Sequence, residues 1–222
     1  MPQSPTTLPR NWPKEITYLT TLHIPAPLTP TVLRISSSSG APPLQLPIVR
    51  QPHSPSPLVR ITPITLRSHP ANGQHGLLAT KPLPPDTLIL LYLGVLHPSS
   101  TTDPDSNYDL SVDRDLDLSI DASRSGNEAR FINDYRGIRP DGPNAEFRDC
   151  LVESRPRIWE RRIGVFVLGA GKAGGKRAKG IAKGEEIVVS YGKGFWNARK
   201  CEGDGDSEAA GKADALGRQQ RD

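Results

Sequence analysis

The chain has 222 residues, only 35% of them hydrophobic, with 23 prolines and 20 glycines, which suits one loop-rich domain with appendages or two small domains. A net charge of +4 favours an acidic or nucleic-acid partner without requiring one. Cys150 and Cys201 are the only cysteines, which excludes an all-cysteine zinc site and a disulfide framework and fits a reducing compartment, nucleus or cytoplasm. No apolar run reaches the roughly 18 residues of a transmembrane helix, and the N-terminus lacks the apolar block of a signal peptide.

Residues 1–57 read as a proline-rich N-terminal extension, since fifteen of the prolines fall in residues 1–70. β-Branched residues allow short strands at Ile16–Leu22 and Val32–Ile35, while the prolines forbid long central ones. Ser36–Gly40 reads as a turn or linker. The extension is either extended chain packed on a domain edge or partly disordered.

From Leu58 the pattern firms. "LVRITPITLR" is a strand interrupted by proline, and Leu77–Ala79 and Leu88–Leu96 are apolar runs separated by a Pro-Pro-Asp turn. The second run is broken at Gly94 and predicts a buried strand. Residues 103–121 hold seven aspartates and one arginine, with Leu110, Val112, Leu116, Leu118 and Ile120 on even positions. That alternation predicts a hairpin turning near Asp113–Asp115. A calcium loop is excluded because the required glycine and final glutamate are missing.

A helical turn is expected near Ser125–Ile132, with Asn127 as its cap. Strands follow in "AEFRDCLVE", "RRIGVFVLG" and "EEIVVSYG". Residues 201–222 read as a polar disordered tail, helical at most around Glu208–Leu216.

Several motifs fail on inspection. "GAGKAGGKR" lacks the first glycine and the hydroxyl residue of a phosphate loop, since Ala170 and Arg177 stand at those positions. Gly169, Gly171 and Gly174 spell a dinucleotide fingerprint, but the glycines around them oppose the helix it must open. All five histidines precede residue 100 and no nucleophile elbow is present, so nucleophilic hydrolysis has no support. Arg130 reads as a scaffold partner of a carboxylate, Asn144 as a turn or backbone clasp, Phe131, Ile132, Trp12 and Trp159 as core. Glu185 and Glu186 read as a solvated turn with one structural contact.

Three segments remain: "NGQHGLLATKPL" (72–83), "GNEARFINDYRGIRPDGPNAEF" (126–147) and "GEEIVVSYGKGFW" (184–196). The second offers backbone amides and the Asn133 carboxamide to a polar ligand. The third sets Tyr191 at a strand end before Gly192, with Phe195 and Trp196 following. In this order, and with "DASRSGNEARF" and "NYDL" ahead of them, these segments resemble the SET domain of protein lysine methyltransferases over about residues 58–197.

The resemblance implies a mainly β, SET-type fold of several small curled sheets with a knot-like C-terminal crossing and little helix, placed at residues 58–200. It implies a protein-lysine N-methyltransferase using S-adenosylmethionine, with a histone among the candidate substrates and no metal. It assigns Asn72, Gly73, His75, Asn133, Asp134 and Tyr191 to cofactor binding, Tyr191 and Tyr108 to catalysis, and Tyr108, Phe195 and Trp196 to the substrate channel. The sequence departs from the family pattern in three places. Gln74 and His75 both separate Gly73 from Gly76, where one residue is usual. Asp134-Tyr135-Arg136 replaces His-Ser-Cys, with Gly137–Gly142 inserted before Pro143. The cysteine-rich segment that often follows this domain is represented by Cys201 alone. Asp134 adds a negative charge suited to a cationic cofactor. The competing expectation is an inactive module binding a basic peptide or nucleic acid; residues 155–200 carry twelve Lys/Arg against three glutamates.

Overall fold

The computed structural model describes residues 7–36, 45–171 and 179–192. Expectations for most of Ser36–Gly40, for most of the 169–180 loop, for Phe195, Trp196 and Cys201, and for the tail lie outside the described residues. The strands are β1 (Thr17–Tyr18), β2 (Arg34–Ser36), β3 (Ile48–Val49), β4 (Val59–Pro63), β5 (His75–Ala79), β6 (Leu88–Leu91) and β7 (Val95–Pro98). They continue with β8 (Asp109–Asp113), β9 (Leu118–Asp121), β10 (Ser125–Gly126), β11 (Asn133–Asp134), β12 (Ala145–Arg155), β13 (Ile158–Val167) and β14 (Val188–Val189). The helical segments among the described residues are short 3₁₀ turns at Ser99–Thr101 and Glu128–Phe131, and none is long and apolar enough to cross a membrane.

All but β12 and β13 are two to five residues long, and among the described residues the strands assemble into five sheets. The largest is built on the β12–β13 hairpin, with β3 beside β12 and with β2 and β6 sharing the outer edge of β13. Ile163–Val167 are buried without alternation, because both faces of that end of β13 are covered. The apolar run 88–96 divides into β6 and β7 around Gly94, where a Cβ would overlap the Asp121 carbonyl.

β8 and β9 form the hairpin expected from the alternation, and β7 pairs β9 on its other edge. Val112, Leu118 and Ile120 are buried, but Leu116 sits in the turn and is 52% exposed. Arg161 on β13 joins this hairpin to the main sheet, donating from Nη1 to Asp113 Oδ2 at 2.7 Å and from Nη2 to Asp149 Oδ2 at 2.6 Å.

The proline-rich segment is pinned on the domain. β1, β2 and β3 pair with β10, β13 and β12 respectively. Trp12 meets Tyr18 and Phe131 edge-on at centroid distances of 4.9 and 5.6 Å. The Tyr18 hydroxyl bonds Ser54 Oγ at 2.8 Å and donates to Glu128 Oε2 at 3.2 Å, while Ser56 N–H donates to Glu128 Oε1 at 2.8 Å. Burial, reinforced by the Glu128 charge, pushes the Tyr18 phenol well above its ordinary value, so it stays a donor.

After β13 the chain returns along β5. Ile187 N–H donates to Leu77 O at 2.8 Å, and β14 then pairs in parallel with β11, Asn133 opposite Val188. This is the crossing that the resemblance implies. The chain divides into two compact units, the first ending at Val189 and the second starting at Ser190.

Candidate functional site

The β4–β5 hairpin carries the first expected motif in its connecting loop. The loop closes on itself: Asn72 N–H donates to His69 O at 2.9 Å, Gly73 N–H to Ile64 O at 2.9 Å, and Gln74 N–H to Ala71 O at 3.0 Å. Gly73 takes φ +81°, which glycine adopts without steric cost, and open space surrounds its missing Cβ. With these three amides engaged, the loop offers a ligand carbonyl and side-chain groups. Asn72 and Gly73 are exposed. His75 opens β5, half-buried, its ring edge-on to Phe131 with centroids 5.8 Å apart.

Asn133 lies where the return strand meets this hairpin. Its Nδ2 donates to Glu186 Oε1 at 2.9 Å and to the His75 carbonyl at 3.3 Å. Both amide hydrogens therefore face oxygens, and the carboxamide retains Oδ1 as its acceptor. Glu186 is held at both oxygens, because His69 Nε2 lies 3.0 Å from Oε2. His69 Nδ1 in turn accepts the Ala71 N–H at 3.0 Å, so Nε2 carries the proton given to Glu186. Gly76 makes room for this carboxylate: a Cβ there would stand 2.7 Å from Glu186 Oε1. The second glycine of the first motif thus serves close approach.

The expected solvated role of Glu186 gives way to a half-buried one, because the return strand runs against β5 and turns the side chain inward. Glu185 is half-buried too, and its Oε1 accepts from Arg139 Nε and Asn144 Nδ2, each at 3.2 Å. His69 was not singled out by its sequence context. It stands 117 residues from Glu186, and only the crossing joins them.

Asp134 is buried at 7% exposure, with Arg136 Nη1 at 3.0 Å from Oδ1 and 2.8 Å from Oδ2. The extra negative charge expected at this position is balanced by the guanidinium two residues on. Of the two roles expected for Asn144, turn or backbone clasp, the side chain takes the clasp. Its Nδ2 donates to Glu186 O at 2.8 Å, and its Oδ1 accepts Val188 N–H at 2.9 Å.

Asn127 precedes a helical turn as expected, but its side chain does not cap it. The carboxamide accepts Leu93 N–H at 3.2 Å and donates to Leu91 O at 2.9 Å, bracing the end of β6. Arg130 likewise pairs with carbonyls rather than a carboxylate, Ala122 O at 2.9 Å and Ser123 O at 3.2 Å. Its guanidinium covers the Tyr108 ring at 4.4 Å from the centroid. Tyr108 is half-buried, and its carbonyl accepts the Tyr92 hydroxyl at 2.5 Å and the Ala122 N–H at 3.1 Å.

In the second unit, Tyr191 is half-buried, and Gly192 takes φ +85° with its N–H donating to Ser190 Oγ at 3.3 Å. A cavity of about 530 Å³ lies elsewhere, between Pro25–Leu28 and β7, and none of the expected site residues lines it.

A SET domain profile matches residues 74–192, more than half of the chain. No curated protein matches it in sequence. Among solved structures it is similar to an active polycomb repressive complex 2 in the basal state, at 21% identity and TM-score 0.40, over 54% of this chain and 14% of that one. It is also similar to a humanized mutant of the Chaetomium thermophilum Polycomb Repressive Complex 2 bound to an inhibitor. There the identity is 22% and the TM-score 0.44, over 60% of this chain and 15% of that one. The chain thus spans far less than two thirds of the length of either.

Proposed function

We propose, on the premise that this chain belongs to the SET-domain family, that it is a protein-lysine N-methyltransferase that takes its methyl group from S-adenosylmethionine. The observation that carries the reading is the Asn133 carboxamide. Its amide hydrogens are tied down by Glu186 and the His75 carbonyl, and its free acceptor role suits an ammonium donor. That acceptor fits a cofactor whose amino-acid end carries an ammonium group.

Asn72, Gly73, His75, Asn133 and Asp134 hold the cofactor in this reading, joined by Tyr191. When bound, S-adenosylmethionine supplies an electrophilic methyl group. The chain's task is alignment and exclusion of water. A lysine of pKa about 10.4 is almost wholly protonated near neutral pH, at a cost of roughly 4 kcal/mol to deprotonate. A dry channel favours the neutral amine. Tyr191 orients that amine through its phenol oxygen in this reading, and Tyr108, braced by Arg130, lines the channel; Phe195 and Trp196, given to the channel by the resemblance, lie outside the described residues.

The substrate in this reading is a basic protein segment, a histone tail among the candidates, attracted by the aspartates of 103–121. The excess of Lys and Arg in residues 155–200 suits a nucleic acid as a further partner in this reading, and the compartment is the nucleus or the cytoplasm.

The test is transfer of labelled methyl groups to histones and to whole lysate, with Tyr191→Phe alongside, and calorimetric titration of the cofactor. The wild-type chain is expected to transfer label, and Tyr191→Phe to lose about 100-fold of it. Equal transfer by both removes the role of Tyr191. No heat from the cofactor, with basic peptide or DNA still bound, replaces the enzyme with a binding module.

A further inference from the structure

We propose that His69 is a positioning residue: acting through Glu186, it fixes the Asn133 carboxamide so that Oδ1 accepts a hydrogen bond from the α-ammonium of the cofactor's amino-acid end. The proposal deepens the methyltransferase reading and rests on it.

The geometry forms a one-way chain of donors. Ala71 N–H fills His69 Nδ1 at 3.0 Å, which leaves the ring proton on Nε2. Nε2 faces Glu186 Oε2 at 3.0 Å, and Glu186 Oε1 takes the Asn133 amide at 2.9 Å. Rotating the Asn133 carboxamide by half a turn would set its oxygen against two acceptors, Glu186 Oε1 and the His75 carbonyl, with no proton between them. The network therefore allows one orientation. The His69 and Glu186 side chains are only 8% and 16% exposed, so water competes poorly for either bond.

Without His69, Oε2 of Glu186 loses its partner and the carboxylate is free to rotate in the space that Gly76 leaves. Asn133 then loses the shorter of the two contacts that distinguish its ends and keeps only the one to the His75 carbonyl at 3.3 Å. His69 itself need touch neither cofactor nor substrate. The same reasoning predicts rescue by glutamine at position 69, whose amide can give Glu186 a hydrogen while its oxygen stays near the Ala71 amide.

The test pairs two measurements on the full chain. The first is the side-chain amide signal of Asn133 by NMR, without cofactor. Slow hydrogen exchange of Nδ2 is expected in the wild type and in His69→Gln, and faster exchange, by about tenfold, in His69→Ala. The second is calorimetric binding of S-adenosylhomocysteine against its analogue lacking the α-amino group. The wild type is expected to prefer the amino form by about tenfold, and His69→Ala to bind the two within about twofold of each other.

An unchanged Asn133 signal in His69→Ala overturns the relay. Equal weakening of both ligands overturns the orienting role and leaves His69 a structural residue. Failure of the wild type to bind either ligand overturns the cofactor reading and the ammonium with it, while the amide signal still decides whether the relay exists. Should His69→Ala not fold, His69→Gln and the wild-type exchange rate carry the decision: fast wild-type exchange sinks the relay by itself.

Discussion

The β11–β14 crossing and the β12–β13 hairpin hold together by different means. The hairpin runs from Ala145 to Arg155 and back from Ile158 to Val167, paired along its length except at a bulge at Glu153/Arg155, with β3, β2 and β6 on its outer edges. At its middle Cys150 and Leu151 are 0% exposed, opposite Arg162 and Arg161. At the crossing each strand has two residues, too few to satisfy the backbone around them. Side chains make up the shortfall: Asn144 ties Glu186 O and Val188 N–H, and Asn133 ties the His75 carbonyl. Stability in the hairpin is spread over many apolar contacts. In the crossing it is concentrated in a few amides, and one of them, Asn133, is also assigned to the cofactor.

The largest effect is expected at the clasp. Asn144→Ala leaves the buried Val188 N–H and the Glu186 carbonyl without their partner and is expected to destabilise by about 4 kcal/mol in urea unfolding. In the hairpin, Leu151→Ala deletes a fully buried side chain but orphans no polar group, and about 3 kcal/mol is expected. If Asn144→Ala falls below about 1 kcal/mol while Leu151→Ala keeps its value, the crossing does not depend on its amides and the contrast fails.

The smallest effect concerns the hairpin's thiol. Burial, with Asp149 adding to it, pushes Cys150 from 9.0 up to about 12. A raised folded value means that the protonated thiol's contribution is complete below 9.0 and is lost as the pH rises toward 12. In a Cys201→Ser background, Cys150 is expected to resist a thiol reagent at pH 8 and to react once the chain is unfolded in urea. Fast reaction in the folded state would show that this part of the hairpin opens readily, against the full burial of Cys150.

The two regions also differ in how far the chain announces them. The hairpin and β8–β9 were readable because apolar run and alternation are local signals, and their burial follows from them. The crossing was readable only by its motif residues. Asn133, Gly73, Gly76 and Asn144 stood out, but what each touches did not. Asn127 shows the limit: its place before a helical turn suggested a cap, yet its amide is drawn to Leu91 and Leu93, 36 and 34 residues away. Arg130 was expected to seek a carboxylate and instead meets two carbonyls and an aromatic ring, because the chain folds Ala122 and Ser123 against it.

The chain by itself determined the small-sheet β architecture, the family and the segments that carry chemistry, since periodicity, turn residues and motif order are written in neighbouring positions. The tertiary structure alone decided that Glu186 faces inward, that His69 stands behind it, and that Arg136 neutralises Asp134. Those choices depend on which distant strand arrives beside β5 and on the few ångströms that Gly76 leaves open, and hydrogen bonds made across such separations leave no pattern along the sequence.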